Sequence, residues 1–271
     1  MRRARNWRAA GEAITQEVFP HLHSAARSAP SGELSQFSAL AVANQYRVPY
    51  GLTLHHVAPP AKVLDWGCGD GHFSYFLLQA GYQVVAYSLQ HRPHVLQDLD
   101  SELAGRFEYV QGSLSEPVHL PFQDFSFDAV FSVGVLEHVR ETGGSEVESL
   151  RELRRVLKPG GHFLCFHLPN QYSYVEAISR VALRGAAPDP AHDAHHRFRF
   201  SVRQTLELCR RSGLTVVSRG RYAFLPRNIL SRLPKSLRDS PDVTRLVNRL
   251  DDGLATVFNG VCQNHFLVAR S

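Results

Sequence analysis

The stretch Lys62–Phe76, KVLDWGCGDGHFSYF, restricts the fold of this chain more than any other. The apolar pair Val63-Leu64 ends in Asp65, and Gly67, Gly69 and Gly71 follow at alternate positions. His72 through Leu78 then has the pattern of an amphipathic helix. The order predicts a strand, a tight turn and a helix. In α/β proteins such a turn lies at the carboxyl end of a strand, where ligands bind. Glycines there permit positive φ and let a ligand approach the main chain closely. The spacing is G-x-G-x-G. A dinucleotide fingerprint would need glycine at position 72, which is His72.

Further segments follow in order. Gln83–Ser88 and Phe107–Gln111 read as strands two and three, with a second helix expected over 92–104 between them. Pro121–Asp128, PFQDFSFD, leads into a fourth strand at Ala129–Val133, and Leu136-Glu137-His138-Val139 follows. A helix is expected over 144–157, stopped by Lys158-Pro159-Gly160-Gly161. Strand five is expected at His162–Leu168. The segments V-L-D-W-G-C-G-D-G, PFQDFSFD, L-E-H-V and LKPGG, at compatible distances across residues 62–168, resemble the class I S-adenosylmethionine-dependent methyltransferases.

The resemblance implies a Rossmann-like, doubly wound, seven-stranded, mostly parallel sheet with an antiparallel last strand. N-terminal helices and helical cap insertions would be added to it. Residues 1–56 would form the N-terminal helical extension and 57–271 the methyltransferase domain, with caps at 169–200 and 221–260. Strand six is expected at 213–218 and the last strand at 262–270, and Ser201 reads as the N-cap of a helix over 202–212.

S-adenosyl-L-methionine is the implied methyl donor. It would lie against Asp65, Gly67, Cys68, Gly69, Gly71, Ser88, Leu89, Ser113, Leu114 and Val133. At two of these positions the family's pattern has an acid. The strand-two acid, which accepts from both ribose hydroxyls, is replaced by Ser88, with Gln90 placed to share its role. The acid expected to accept from the adenine amino group is replaced by Ser113. An ionised carboxylate is a stronger acceptor than a hydroxyl.

Displacement at a sulfonium methyl needs positioning and exclusion of water more than covalent help. A hydroxyl nucleophile also needs a base, and histidine has a suitable pKa. His138, at the tip of strand four, is the candidate. Tyr46, His167, His195 and His196 are candidates for the acceptor side, and the resemblance makes Arg47 and Tyr50 candidates with Tyr46 for the cleft wall. His192-x-x-His195-His196 with Asp189 and Asp193 has only a loose metal-like spacing, and no metal is expected.

At 271 residues with 44% hydrophobic and 20% charged residues, the composition is that of a globular protein with a sizeable core. No apolar run has the length of a membrane span. The basic N-terminus is interrupted by Glu12 and Glu17 and lacks the apolar core of a secretory signal, so a cytoplasmic location is expected. Four scattered cysteines without C-x-x-C fit free thiols.

The expected reaction is methylation of a small-molecule acceptor at a hydroxyl oxygen. The alternatives are a non-catalytic cofactor-binding module and an RNA-modifying enzyme, the latter suggested by a net charge of +5. Nucleic acid is not the expected partner. Ser132-Val133-Gly134-Val135 stands where a nucleobase amino-methyltransferase would carry N/D-P-P-Y/F.

Overall fold

The computed structural model describes residues 7–29, 32–182 and 198–271. Its centre is a seven-stranded sheet in the order β3-β2-β1-β4-β5-β7-β6. The strands are β1 (Lys62–Trp66), β2 (Gln83–Ser88), β3 (Phe107–Gln111), β4 (Phe127–Val133), β5 (Leu157–Pro169), β6 (Thr215–Tyr222) and β7 (Asn264–Arg270). β1 to β5 pair in parallel, and β7 lies antiparallel to both β5 and β6. In β1, Val63, Leu64, Asp65 and Trp66 are all buried. Burial on both faces is why this strand reads as a continuous run rather than an alternation. Strand order reverses between β1 and β4, which opens a crevice beyond their carboxyl ends.

The N-terminal helices are part of the main core. α1 (Trp7–Ser28) buries Ile14, Val18 and Leu22 at helical spacing. It crosses α3 (Arg47–His56) at two glycines. A Cβ on Gly11 would lie 1.9 Å from the Arg47 carbonyl oxygen, and one on Gly51 would lie 2.2 Å from that of Trp7. Leu22, Leu34 and Phe37 share one apolar cluster with Phe131 of β4 and with Phe76 on the helix after the glycine turn. Between α1 and α3 the chain is not one continuous helix. It runs through a 3-10 turn at Ser35–Phe37, α2 (Leu40–Ala43) and a second turn at Asn44–Tyr46.

Two expectations are corrected. The helix expected over 92–104 is a single turn at His94–Leu96 and a four-residue α5 (Ser101–Ala104). Pro93 opens the first, and Asp100 caps the second by accepting from the amides of Glu102 and Leu103. An N-cap in mid-segment needs non-helical backbone, so one helix cannot span both. LKPGG is not a connection between helix and strand. α6 (Glu146–Val156) ends directly at β5, which carries Leu157 to Gly161 through a register shift beside Phe127 and Ala129.

α4 (His72–Gln79) follows the glycine turn, and α7 (Tyr174–Ala182) follows β5. α8 (Val202–Ser212) begins in a capping box, in which Ser201 and Gln204 each bond the other's backbone. β6 runs four residues beyond its expected end at 218, to Tyr222. The cap that follows contains a 3-10 segment at Arg227–Arg232, then α9 (Lys235–Arg238) and α10 (Pro241–Val257). Among the described residues no helix is long and apolar enough to cross a membrane.

Candidate functional site

The turn after β1 is bound to the neighbouring strand. The amides of Gly67 and Cys68 both donate to the carbonyl of Tyr87, at 2.8 and 3.0 Å. Gly67, Gly69 and Gly71 have φ of +75, +49 and +80. At Gly67 the need for glycine is also steric, because a Cβ would meet Val135 Cγ2 at 2.6 Å.

A cleft of about 400 Å³ opens between this turn, the end of β2 and the segment after β4. Gly67, Gly69, Ser88, Leu89 and His138 line it, together with Val135, Glu141 and Thr142. Asp65 lies beneath the turn and is buried. Ser74 Oγ donates to its Oδ2 at 2.6 Å, yet burial pushes the carboxyl up to about 7. The Cys68 thiol is buried and pushed well up by desolvation, then by Asp65. Gly71 caps α4 rather than lining the cleft.

At the β2 end, Ser88 Oγ accepts from the Gln90 amide at 3.1 Å, and the Tyr109 hydroxyl donates to the Gln90 carbonyl. The position of the usual acid is thus part of a small neutral network. Ser113 and Leu114 are not brought into the cleft lining. Ser113 Oγ bonds Ser115 Oγ at 2.7 Å on the surface, and Leu114 is 69% exposed. Val133 is at the end of β4, and the lining takes up Gly134 and Val135 just beyond it.

His138 lies on the turn Leu136–Thr142, with Nδ1 2.8 Å from Glu141 Oε2. Its neighbour Glu137 is buried, and its Oε2 has no partner among the described residues. Desolvation pushes that carboxyl up to about 7.

Beside the glycine turn is a group of rings. Tyr46 lies 4.2 Å from His72 and 4.9 Å from His167, centroid to centroid, and His167 lies 5.6 Å from Tyr222. His167 adopts φ +54 at the bulge near the tip of β5, and its amide donates to the Tyr222 hydroxyl at 2.8 Å. A bulge re-aims a side chain at a strand end. Tyr50 and His72 share a hydrogen bond of 3.3 Å, and burial pushes His72 down to about 3, so its imidazole is neutral. Asp70 joins the turn to the N-terminal segment by accepting from the Leu34 amide at 3.0 Å. His192, His195 and His196, with Asp189 and Asp193, lie outside the described residues.

Sequence reasoning missed His72, Glu141 and Tyr222. Position 72 registered there only as the absence of a glycine. Glu141 is three residues from His138 on a turn, a spacing that carries a signal only once helical geometry is known.

PFQDFSFD lies at the other end of β4. Arg155 donates to the carbonyls of Leu120 and Phe122 and to Asp124, while Asp128 holds the Lys62 amide and Lys158. This segment therefore braces the sheet from the side opposite the cleft.

A doubly wound sheet with a glycine-rich turn at its switch point defines a nucleoside-cofactor-binding protein of the α/β class. A family model for the methyltransferase domain matches residues 64–165. A protein of Encephalitozoon cuniculi (strain GB-M1) that carries a provisional methyltransferase name is 30% identical over 165 residues, covering 58% of this chain and 72% of that protein. The ubiquinone/menaquinone biosynthesis C-methyltransferase UbiE of Bartonella tribocorum is 32% identical over 127 residues, 42% of this chain and 45% of that protein. In fold, the chain is similar to Burkholderia thailandensis 1,6-didemethyltoxoflavin-N1-methyltransferase, solved with 1,6-didemethyltoxoflavin and S-adenosylhomocysteine bound. The identity is 19%, the TM-score 0.53, and the match covers 96% of this chain and 88% of that one. The chain belongs to the class I S-adenosylmethionine-dependent methyltransferases, and S-adenosylmethionine is its methyl donor.

Proposed function

We propose that the acceptor is a small molecule, methylated at a hydroxyl oxygen with His138 as general base. The observation that carries this reading is the His138–Glu141 pair in the wall of the cleft that also holds Gly67 and Gly69. A carboxylate on Nδ1 fixes the tautomer that leaves Nε2 to take a proton, and it stabilises the imidazolium that forms.

The cofactor would lie along Gly67, Gly69, Ser88 and Leu89, with its amino-acid end over the turn. The ribose would meet the Ser88–Gln90–Tyr109 network rather than a carboxylate. Tyr46 and His167 would hold the acceptor on the side of the N-terminal helices. The sulfonium methyl would face that ring cluster.

The test begins with binding. S-adenosylhomocysteine is expected to raise the melting temperature, and Gly69→Arg to abolish that shift. A cofactor-consumption screen against phenols, quinones, lipids, sugars and carboxylates, with RNA as a further arm, then identifies the acceptor. Positioned bases contribute about 10²–10⁴-fold. His138→Ala is therefore expected to lower kcat on that acceptor by at least about 10²-fold while leaving S-adenosylhomocysteine affinity within about two-fold. Unchanged turnover would refute the base assignment, and methylation of RNA alone would refute the small-molecule reading.

A further inference from the structure

The cap helix α10 has three faces. Thr244, Asn248 and Asp251 are buried against the protein. Leu246, Leu250 and Val257 are 58%, 53% and 75% exposed. At 3.6 residues per turn these three share one flank with Val243, Val247 and Leu254, a full apolar stripe at the i, i+3, i+4, i+7 spacing. Phe258, 49% exposed, extends the patch past the helix end, and Leu237 on α9, 44% exposed, precedes it. Scattered apolar residues need no explanation, but a continuous stripe of this kind marks an interaction surface.

The charges around the stripe are divided by sign. Asp251 and Asp252 are taken up internally by Arg47, Arg227 and Arg8, and Asp239 accepts from the Leu40 amide. Asp242 pairs with Arg245 on the same helix. Arg232, Lys235 and Arg249 are exposed and make no ion pair with a described residue. The acids of this part of the cap are therefore paired, and the exposed charges left without an ion pair to a described residue are the bases Arg232, Lys235 and Arg249.

We propose that α10 and the turn before it dock on a membrane surface that bears anionic lipid headgroups. The stripe would enter the boundary between headgroups and acyl chains, and Arg232, Lys235 and Arg249 would meet the phosphates. This is the arrangement of an interfacial amphipathic helix, whose binding sums buried apolar area and attraction to anionic lipid. A second copy of the chain is the less suited occupant. An isologous contact through this stripe would bring the uncompensated cations of both copies together.

The full chain is sedimented with phosphatidylcholine vesicles with and without phosphatidylglycerol. Binding to the anionic vesicles alone, weakened by added salt, is expected. Each cation near such a surface contributes enough that R232Q with R249Q should weaken partitioning by about thirty-fold. L246E with L250E should abolish it. Both pairs are exposed and outside the cleft lining, so the thermal shift with S-adenosylhomocysteine should persist and report an intact fold. Equal binding to neutral vesicles, or none to either, would overturn the proposal. So would a dimer in sedimentation velocity that L246E with L250E dissolves while vesicles are ignored.

Discussion

Two walls of the molecule are held by different physics. The wall at the glycine turn is made by main chain: three glycines at positive φ, two amides on the Tyr87 carbonyl, and strand ends in parallel register. The wall between the N-terminal helices and the cap is made by side chains from distant segments. Arg47, nearly buried on α3, reaches Asp252 at 2.8 Å and Asp251 at 3.5 Å. Asp251 also holds Arg227 at 3.1 Å and accepts from the amides of Phe224 and Leu225 at 2.8 Å each. Asn248 bridges Glu12 and Asn44 at 3.0 Å each. A wall of backbone tolerates most exchanges of side chain but not of glycine. A wall of buried charge tolerates the loss of no partner, because each removal leaves the others desolvated and unpaired.

The largest expected effect falls on the second wall. Asp251→Ala would leave the buried Arg227 guanidinium without its carboxylate and the amides of Phe224 and Leu225 without their acceptor, at a cost of about 3–5 kcal/mol. The melting temperature should fall by roughly 6–20 °C. A fall of only a degree or two in a thermal melt would mean that the network contributes little. Gly67→Ala tests the first wall. The positive φ and the Val135 clash cost about 1–3 kcal/mol, so cofactor binding should weaken by about ten-fold or more while the cap stays in place. Calorimetry with S-adenosylhomocysteine checks this, and an unchanged Kd would break the contrast.

Next comes pH. Burial raises Asp65 and Glu137 to about 7 in the folded protein. A carboxyl with a raised native pKa binds its proton more tightly folded than unfolded. Its contribution is fully present below the unfolded pKa of about 4 and is lost as pH rises to about 7. Urea midpoints should therefore decline across that window, and Glu137→Gln should flatten part of the decline. The smallest effect is expected at Ser113→Ala, an exposed position, with stability changed by less than about 0.5 kcal/mol and cofactor affinity within about two-fold. A large loss of affinity there would mean that the loop after β3 closes on the bound cofactor.

What could be read from the sequence follows the same division. The glycine turn, β4, the Ser201 cap and β7 carry local signals, and the structure has them within a few residues of where they were expected. The break at Pro93 and Asp100 was also written locally, but the apolar positions around it suggested one helix. The serines at 88 and 113 stand at equivalent points of the family pattern, yet one lines the cleft and the other faces solvent. The Arg47–Asp251 network left no trace at all. Arg47 reads with Tyr46 and Tyr50 as a candidate for the cleft wall, but nothing near it in sequence points to a buried carboxylate partner. Its burial follows from a helix that arrives about two hundred positions later.

That separation has a consequence during synthesis. Arg47 and Asp252 are 205 positions apart. At ribosomal rates of 5–20 residues per second, Arg47 emerges about ten to forty seconds before its carboxylate partner exists. In that interval α1 and α3 can pack on each other through Gly11 and Gly51, but the guanidinium must stay hydrated. The N-terminal helices are therefore the first part of that wall of buried charge to be made and the last to be fixed in place.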